Sequence, residues 1–225
     1  NSTDLGDRIN SMLSLKQLSL GRSVDVPQAI LAPTLERLER FSLDSIEENE
    51  GSTALRNLGS QCTHLSYSVY DMERPVFGFS FSANSRLVAQ LTHLRLAGEV
   101  ERENLHQLQQ HATSLQVLDI DSDIYTDYLV ALSRMPHLTE LRLRSVISID
   151  SHTLKQAQLE PLSGVRLVRL SDARLYVDGH DDMANFCAIL ASLFPAVQVL
   201  YLPRVDIIPQ LHHFANLRKY KITHK

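Results

Sequence analysis

The sequence predicts an α/β fold built from repeated units: a solenoid with a parallel β-sheet along its concave side and helices on its convex side. Two observations predict it. One apolar frame recurs nine times at near-constant spacing, and the hydrophobic period changes from strand-like to helix-like between copies. The frame is an apolar residue, two variable residues, an apolar residue, one variable residue and an apolar residue. It reads LKQLSL from Leu15, LERFSL from Leu38, CTHLSY from Cys62, LTHLRL from Leu91, LQVLDI from Leu115, LTELRL from Leu138, VRLVRL from Val165, VQVLYL from Val197 and LRKYKI from Leu217. The starts lie 23, 24, 29, 24, 23, 27, 32 and 20 residues apart. One such hexamer means nothing in a leucine-rich chain, but nine in rhythm specify an architecture.

The physics of the frame sets the placement of its residues. The fourth and sixth positions flank one variable residue, so they point to the same face of a short strand. The first position turns inward just before the strand. Each repeat therefore offers three apolar groups that it cannot bury alone, and stacking repeats joins them into one core under a parallel sheet. Between frames, residues 103–112, 126–135 and 181–194 place apolar residues three and four apart, which predicts helices. Thr126 and Asp181 are the expected N-caps, and Pro136 and Pro195 stand where the second and third helices must stop. Met183, Phe186 and Leu190 then belong to the core. The polar stretch 171–182 and the long connection 67–90, with Pro75 and Gly78, are expected to be loops. We expect residues 1–225 to form a single repeat domain, cut from a longer protein.

Bulk composition narrows the function. Hydrophobic residues make up 44% and charged residues 21%, which is globular and not disordered. The net charge of −4 argues against nucleic acid as a partner, and no apolar run reaches the length of a membrane span. Cys62 and Cys187 sit in apolar contexts and read as buried thiols, pointing to a cytoplasmic or nuclear protein without a disulfide framework.

The nine frames, covering Leu15 to Ile222, resemble leucine-rich-repeat proteins with helical convex sides. The irregular spacing is similar to the repeat domains of F-box proteins and, less closely, to ribonuclease-inhibitor-like repeats. That family places Asn or Cys three residues after the sixth position. The equivalent residues here, among them Glu99, Asp123 and Ala173, do not match. The resemblance implies a binding module with no cofactor. An F-box-type member would read substrates for a ubiquitin ligase, its adaptor-binding segment lying outside these residues.

Sequence motifs for chemistry are missing. The eight glycines are scattered, with no P-loop or dinucleotide fingerprint, and there is no G-x-S-x-G elbow or H-E-x-x-H metal signature. His212 and His213 are adjacent and expected to diverge. His180 with Asp178, Asp181 and Asp182 reads as a solvated turn, with a divalent-cation site as the alternative, and His106 and His111 as surface residues of a convex helix. Asn1-Ser2-Thr3 matches a glycosylation sequon, a pattern too short to be specific.

The informative residues are those the frame points away from the core. The third positions form one row, including His64, His93, Val117, Glu140, Leu167, Val199 and Lys219. The fifth form another, including Arg95, Asp119, Arg142, Arg169, Tyr201 and Lys221, and the seventh supply Asp121 and Arg144. With rungs about 4.8 Å apart, nine strands give a face roughly 38 Å long. It carries seven cationic residues (Arg40, Arg95, Arg142, Arg144, Arg169, Lys219, Lys221) against Asp44, Asp119, Asp121 and Glu140, although the chain is acidic. Arginine and tyrosine are typical binding anchors. The partner-binding candidates are Arg95, Asp119, Arg142, Arg144, Leu167, Arg169, Val199, Tyr201, Lys219 and Lys221, and the matching ligand is an acidic or phosphorylated protein segment. The plainer account is that the arginines pair with acidic neighbours inside the sheet. Two other functions fit the fold: a scaffold subunit of a larger complex, and a GTPase activator using Arg142 or Arg169.

Overall fold

The second residue of each frame sets the start of the next strand. Its carbonyl accepts hydrogen bonds from two successive N–H groups of the following repeat: Lys16 O from Glu39 and Arg40, Glu39 O from Thr63 and His64, Thr63 O from Thr92 and His93. The same pattern joins Gln116 to Thr139 and Glu140, Thr139 to Arg166 and Leu167, Arg166 to Gln198 and Val199, and Gln198 to Arg218 and Lys219. These bonds are in a computed structural model that describes residues 2–21, 33–45, 55–69, 81–156, 161–170, 173–177, 182–203 and 205–223. The described residues fall into two compact units, Asn1–Leu115 and Gln116–Lys225.

The first unit opens with helix α1 (Ser2–Ser11) and holds strands β1 (Gln17–Leu20), β2 (Arg40–Ser45), β3 (His64–Val69) and β4 (His93–Ala97), with helices α2 (Ser85–Gln90) and α3 (Arg102–His111). The strands pair in chain order, all parallel, in the register the frames predict: Leu18 beside Phe41, Phe41 beside Leu65, Leu65 beside Leu94. Leu38, Phe41, Cys62, Leu65, Tyr67, Leu91, Leu94 and Leu96 are buried beneath them. The turn before β3 tolerates only glycine at position 59, since a Cβ there would lie within van der Waals overlap of the Glu36 backbone carbonyl. Helix α3 is predicted by its apolar spacing and is fixed by a reciprocal cap, in which the Asn104 side chain accepts from the Glu101 N–H at 2.9 Å.

The second unit holds β5 (Val117–Asp121), β7 (Glu140–Arg144), β9 (Leu167–Arg169), β11 (Val199–Leu202) and β12 (Lys219–Ile222), again parallel and in frame register. Helices α4 (Thr126–Leu132), α5 (Ser151–Gln156) and α6 (Met183–Leu193) and a 3-10 segment (Val205–His213) intervene. Leu118, Ile120, Leu138, Leu141, Leu143, Val165, Val168, Leu170, Leu200 and Leu202 form the core. On β12 the fourth-position residue Tyr220 is 47% exposed, so the pattern of the frame outlasts its burial.

A second sheet appears in this unit that the frames did not predict. Short strands β6 (Ile124–Tyr125), β8 (Val146–Ile149) and β10 (Arg174–Val177) run parallel, with β8 in the middle. Residues 174–177 lie within the stretch read as a polar loop, and they form β10 because Leu175 and Val177 are buried against Ile147 and Ile149. Ser145 joins β7 to β8 at φ 72°, a left-handed conformation that costs a non-glycine residue about 1–2 kcal/mol. Asp123 holds it there, accepting from Ser145 Oγ at 2.6 Å and from the Val146 N–H at 3.2 Å.

Two expected caps need correction or fall outside view. Thr126 does not cap α4: it is buried within the helix's first turn, and its Oγ1 accepts from the Asp150 N–H at 2.6 Å, tying α4 to the start of α5. Helix α6 is capped by Asp182, whose side chain accepts from the Asn185 N–H at 3.1 Å, while Asp181 lies outside the described residues. Asn1, the 70–80 part of the long connection, Ser171, and His180 with Asp178 also lie outside them.

Leu141 is fully buried on a central strand of the second unit. Replacing it with alanine is expected to cost about 2–5 kcal/mol through lost burial and the cavity left behind. Urea unfolding reads this, and a midpoint equal to that of the parent would show the frame misplaced.

Candidate functional site: the outward rows of the two sheets

The frame leaves three rows pointing away from each core, and the strand register fixes which side chains become neighbours. In the second unit Asp119 pairs with Arg142, Asp121 with Arg144, Arg142 with Arg169, Arg169 with Tyr201 and Tyr201 with Lys221. The third-position row runs Val117, Glu140, Leu167, Val199, Lys219 in the same register. All the second-unit candidates therefore stand on one face of one sheet. Arg95 stands on β4 of the first unit, opposite Ser66.

The arginines of this face divide into two kinds. Arg144 grips Asp119 with two hydrogen bonds, Nε to Oδ1 at 3.1 Å and Nη2 to Oδ2 at 2.9 Å. Arg142 donates from Nε to Glu140 Oε1 at 2.6 Å, and its Nη1 lies 3.9 Å from Asp119 Oδ2. The plainer account, pairing within the sheet, thus holds for these two. Asp119 is only 5% exposed beneath them, so the carboxylate expected to meet a partner instead braces two guanidinium groups. Arg142→Glu would crowd a third carboxylate against Glu140 and Asp119 and is not a neutral probe of binding.

Arg169 is different. Its guanidinium carbon sits 4.3 Å above the centre of the Tyr201 ring, a cation–π stack. No carboxylate pairs with it among the described residues, and its buried Nε has no hydrogen-bond partner. Leu167 and Val199 flank the stack half-buried, and Lys219 and Lys221 lie exposed on the adjoining strand.

The first unit carries a constellation that single-residue inspection does not single out. His64 and His93 are register partners on β3 and β4, and their rings stack with centroids 3.9 Å apart and planes 12° from parallel. Each Nδ1 lies 2.9 Å from the hydroxyl of the preceding threonine, Thr63 or Thr92. Thr92 donates its single hydroxyl proton to the Thr63 carbonyl at 3.2 Å, so His93 Nδ1 donates to Thr92 Oγ1. Arg40 on β2 is the register partner of His64 on the other side. The sequence signal was present: Thr-His-Leu occurs at the same frame positions in two adjacent repeats, 63–65 and 92–94. Desolvation, then the charges of His93 and Arg40, lower the His64 pKa from its usual 6.5.

Other candidates resolve simply. His212 and His213 do not diverge: their rings lie 4.1 Å apart on the 3-10 segment, with His212 Nδ1 donating to the Pro209 carbonyl. Among the described residues no group of three or more His, Cys, Asp or Glu could hold a metal ion, and no helix is long and apolar enough to cross a membrane. Cys62 and Cys187 are buried thiols not joined in a disulfide, and burial pushes the Cys62 thiol up to about 11. His106 accepts from Arg102 Nε one turn earlier on α3.

No described protein family matches the chain, and no curated protein sequence is similar to it. Among solved structures, it is similar to the leucine-rich repeat-containing protein LegL7 from Legionella pneumophila. That similarity spans all of this chain and 88% of the other, at 13% identity and a TM-score of 0.49.

The lowered His64 pKa has a defined sign. The folded chain favours neutral His64, so its contribution to stability is present above pH 6.5 and is lost as pH falls below 6.5 through the folded value. Unfolding monitored from pH 7.5 to 5 should show this loss in the parent and a flatter profile in His64→Gln. Equal pH profiles for the two proteins would contradict the assignment.

Proposed function

We propose that the chain is a leucine-rich-repeat solenoid, with helices on its convex side, that works as a protein-interaction module and catalyses no reaction. Its second unit holds an acidic or phosphorylated segment of a partner protein. The observation that carries this reading is the Arg169–Tyr201 stack. A guanidinium without a carboxylate partner, held flat by a ring, presents its remaining donors in a fixed fork that suits carboxylate or phosphate oxygens. Leu167 and Val199 beside it offer apolar contact area, and Lys219 and Lys221 extend the positive field. Arg142 and Arg144 contribute less charge than their number suggests, because Glu140 and Asp119 neutralise them.

Within this reading the module would serve as the substrate-recognition part of an F-box-type ubiquitin-ligase receptor. The buried cysteines, not joined in a disulfide, suit a cytoplasmic or nuclear setting. The ligase role requires an F-box segment outside these residues.

Arrays of acidic and phosphorylated peptides probed with the whole chain test the proposal. Arg169→Glu is expected to weaken capture by about 30-fold, an anchor-sized loss of about 2 kcal/mol, with the parent's binding falling as salt rises. Parental capture by Arg169→Glu, or capture indifferent to salt, would remove this face as the site.

A further inference from the structure

We infer that Arg40, His64 and His93 on the first unit's sheet form a proton-gated binding site for an oxyanion, distinct from the Arg169–Tyr201 face. Three consecutive parallel strands, β2, β3 and β4, place these side chains in one row, Arg40 beside His64 and His64 beside His93. The two rings are near-copies of each other by translation along the sheet: the same frame position, the same threonine before each, the same 2.9 Å contact at Nδ1, and planes only 12° apart. Because both Nδ1 atoms are turned to their threonines, the Nε2 edges of both rings face the opposite way together.

His64 Nε2 makes no hydrogen bond among the described residues, and the exposed Arg40 pairs with no carboxylate there. An oxyanion seated between the Arg40 guanidinium and the protonated His64 Nε2–H meets a charge-assisted donor on each side. The stacked His93 supplies a second cation behind the first when it too is protonated.

The gating follows from the stack. With both rings neutral, the row carries only the charge of Arg40. Protonation places two or three cations on adjacent rungs, a repulsion that adds to the larger effect of burial in resisting a proton on His64 in the empty site. A bound dianion offsets the repulsion, so proton uptake and anion binding favour one another. Among the described residues of the paired strands, the other charged groups on this face are Asp44 on β2, four residues beyond Arg40, and Arg95 on β4, two beyond His93. Lys16 and Glu39, at the entries to β1 and β2, satisfy each other at 3.1 Å.

The test is a histidine NMR titration of the full chain from pH 5 to 8 with inorganic sulfate, whose charge is constant over that range, against chloride at matched ionic strength. Sulfate is expected to raise the apparent pKa of His64 by about one unit, equivalent to about tenfold tighter binding to the protonated form. Arg40→Ala, at an exposed position, should keep the stacked rings' coupled titration but lose the sulfate-dependent rise. His64→Gln, which keeps only His93 as a titrating ring of the row, should gain less sulfate affinity between pH 7.5 and 5.5 than the parent does. Identical His64 curves in sulfate and chloride overturn the proposal, as does an undiminished sulfate effect in Arg40→Ala.

Discussion

Within each unit, the register of the frame strands depends on one interaction: the carbonyl at the frame's second position accepting two N–H groups from the next repeat. It locks adjacent strands in parallel without slippage. Because side chains alternate along a strand, a slip of one residue would exchange core and surface. The lock puts Leu118 beside Leu141 and Leu141 beside Val168, and on the other face Asp119 beside Arg142 and Arg142 beside Arg169. Packing and surface chemistry are two consequences of the same register.

That register explains why the two faces differ in character. In the second unit it brings Asp119 between Arg142 and Arg144, and the buried carboxylate leaves those arginines committed. One rung further on, the fifth position of the neighbouring repeat is Tyr201, and Arg169 stacks on a ring in place of an ion pair. In the first unit two repeats carry the same Thr-His pair, so an in-register sheet has to stack the imidazoles. The face is uneven because pairing in each row depends on which residue the adjacent repeat supplies.

The main sheets were legible in the sequence because the frame's apolar positions carry both the strand period and the repeat period. The outward rows followed from counting along the frame, and their neighbours match the register observed. The second sheet was not legible in the same way. Its strands are only two to four residues long, too short for an alternating pattern to stand out, although Ile124 and Ile147 each fall four residues and Leu175 five residues after the sixth frame positions Ile120, Leu143 and Leu170. The burial of Asp119 was also hidden, since a sequence row shows that charges are adjacent but not that two long guanidinium side chains fold over a short carboxylate. Thr126 misled for a related reason: a threonine ahead of an apolar run reads as a cap, but here its hydroxyl serves the backbone of the next repeat.

Core and surface alternate along each frame, and thiol labelling of single cysteines at positions 140, 141, 142 and 143 tests this alternation most directly. The native Cys62 and Cys187 are buried and give little background. Cysteines in place of Glu140 and Arg142 should react readily, and those in place of Leu141 and Leu143 should be protected under native conditions. Equal reactivity at the four positions, or protection at 140 and 142 instead, would contradict the register on which both proposed binding faces depend.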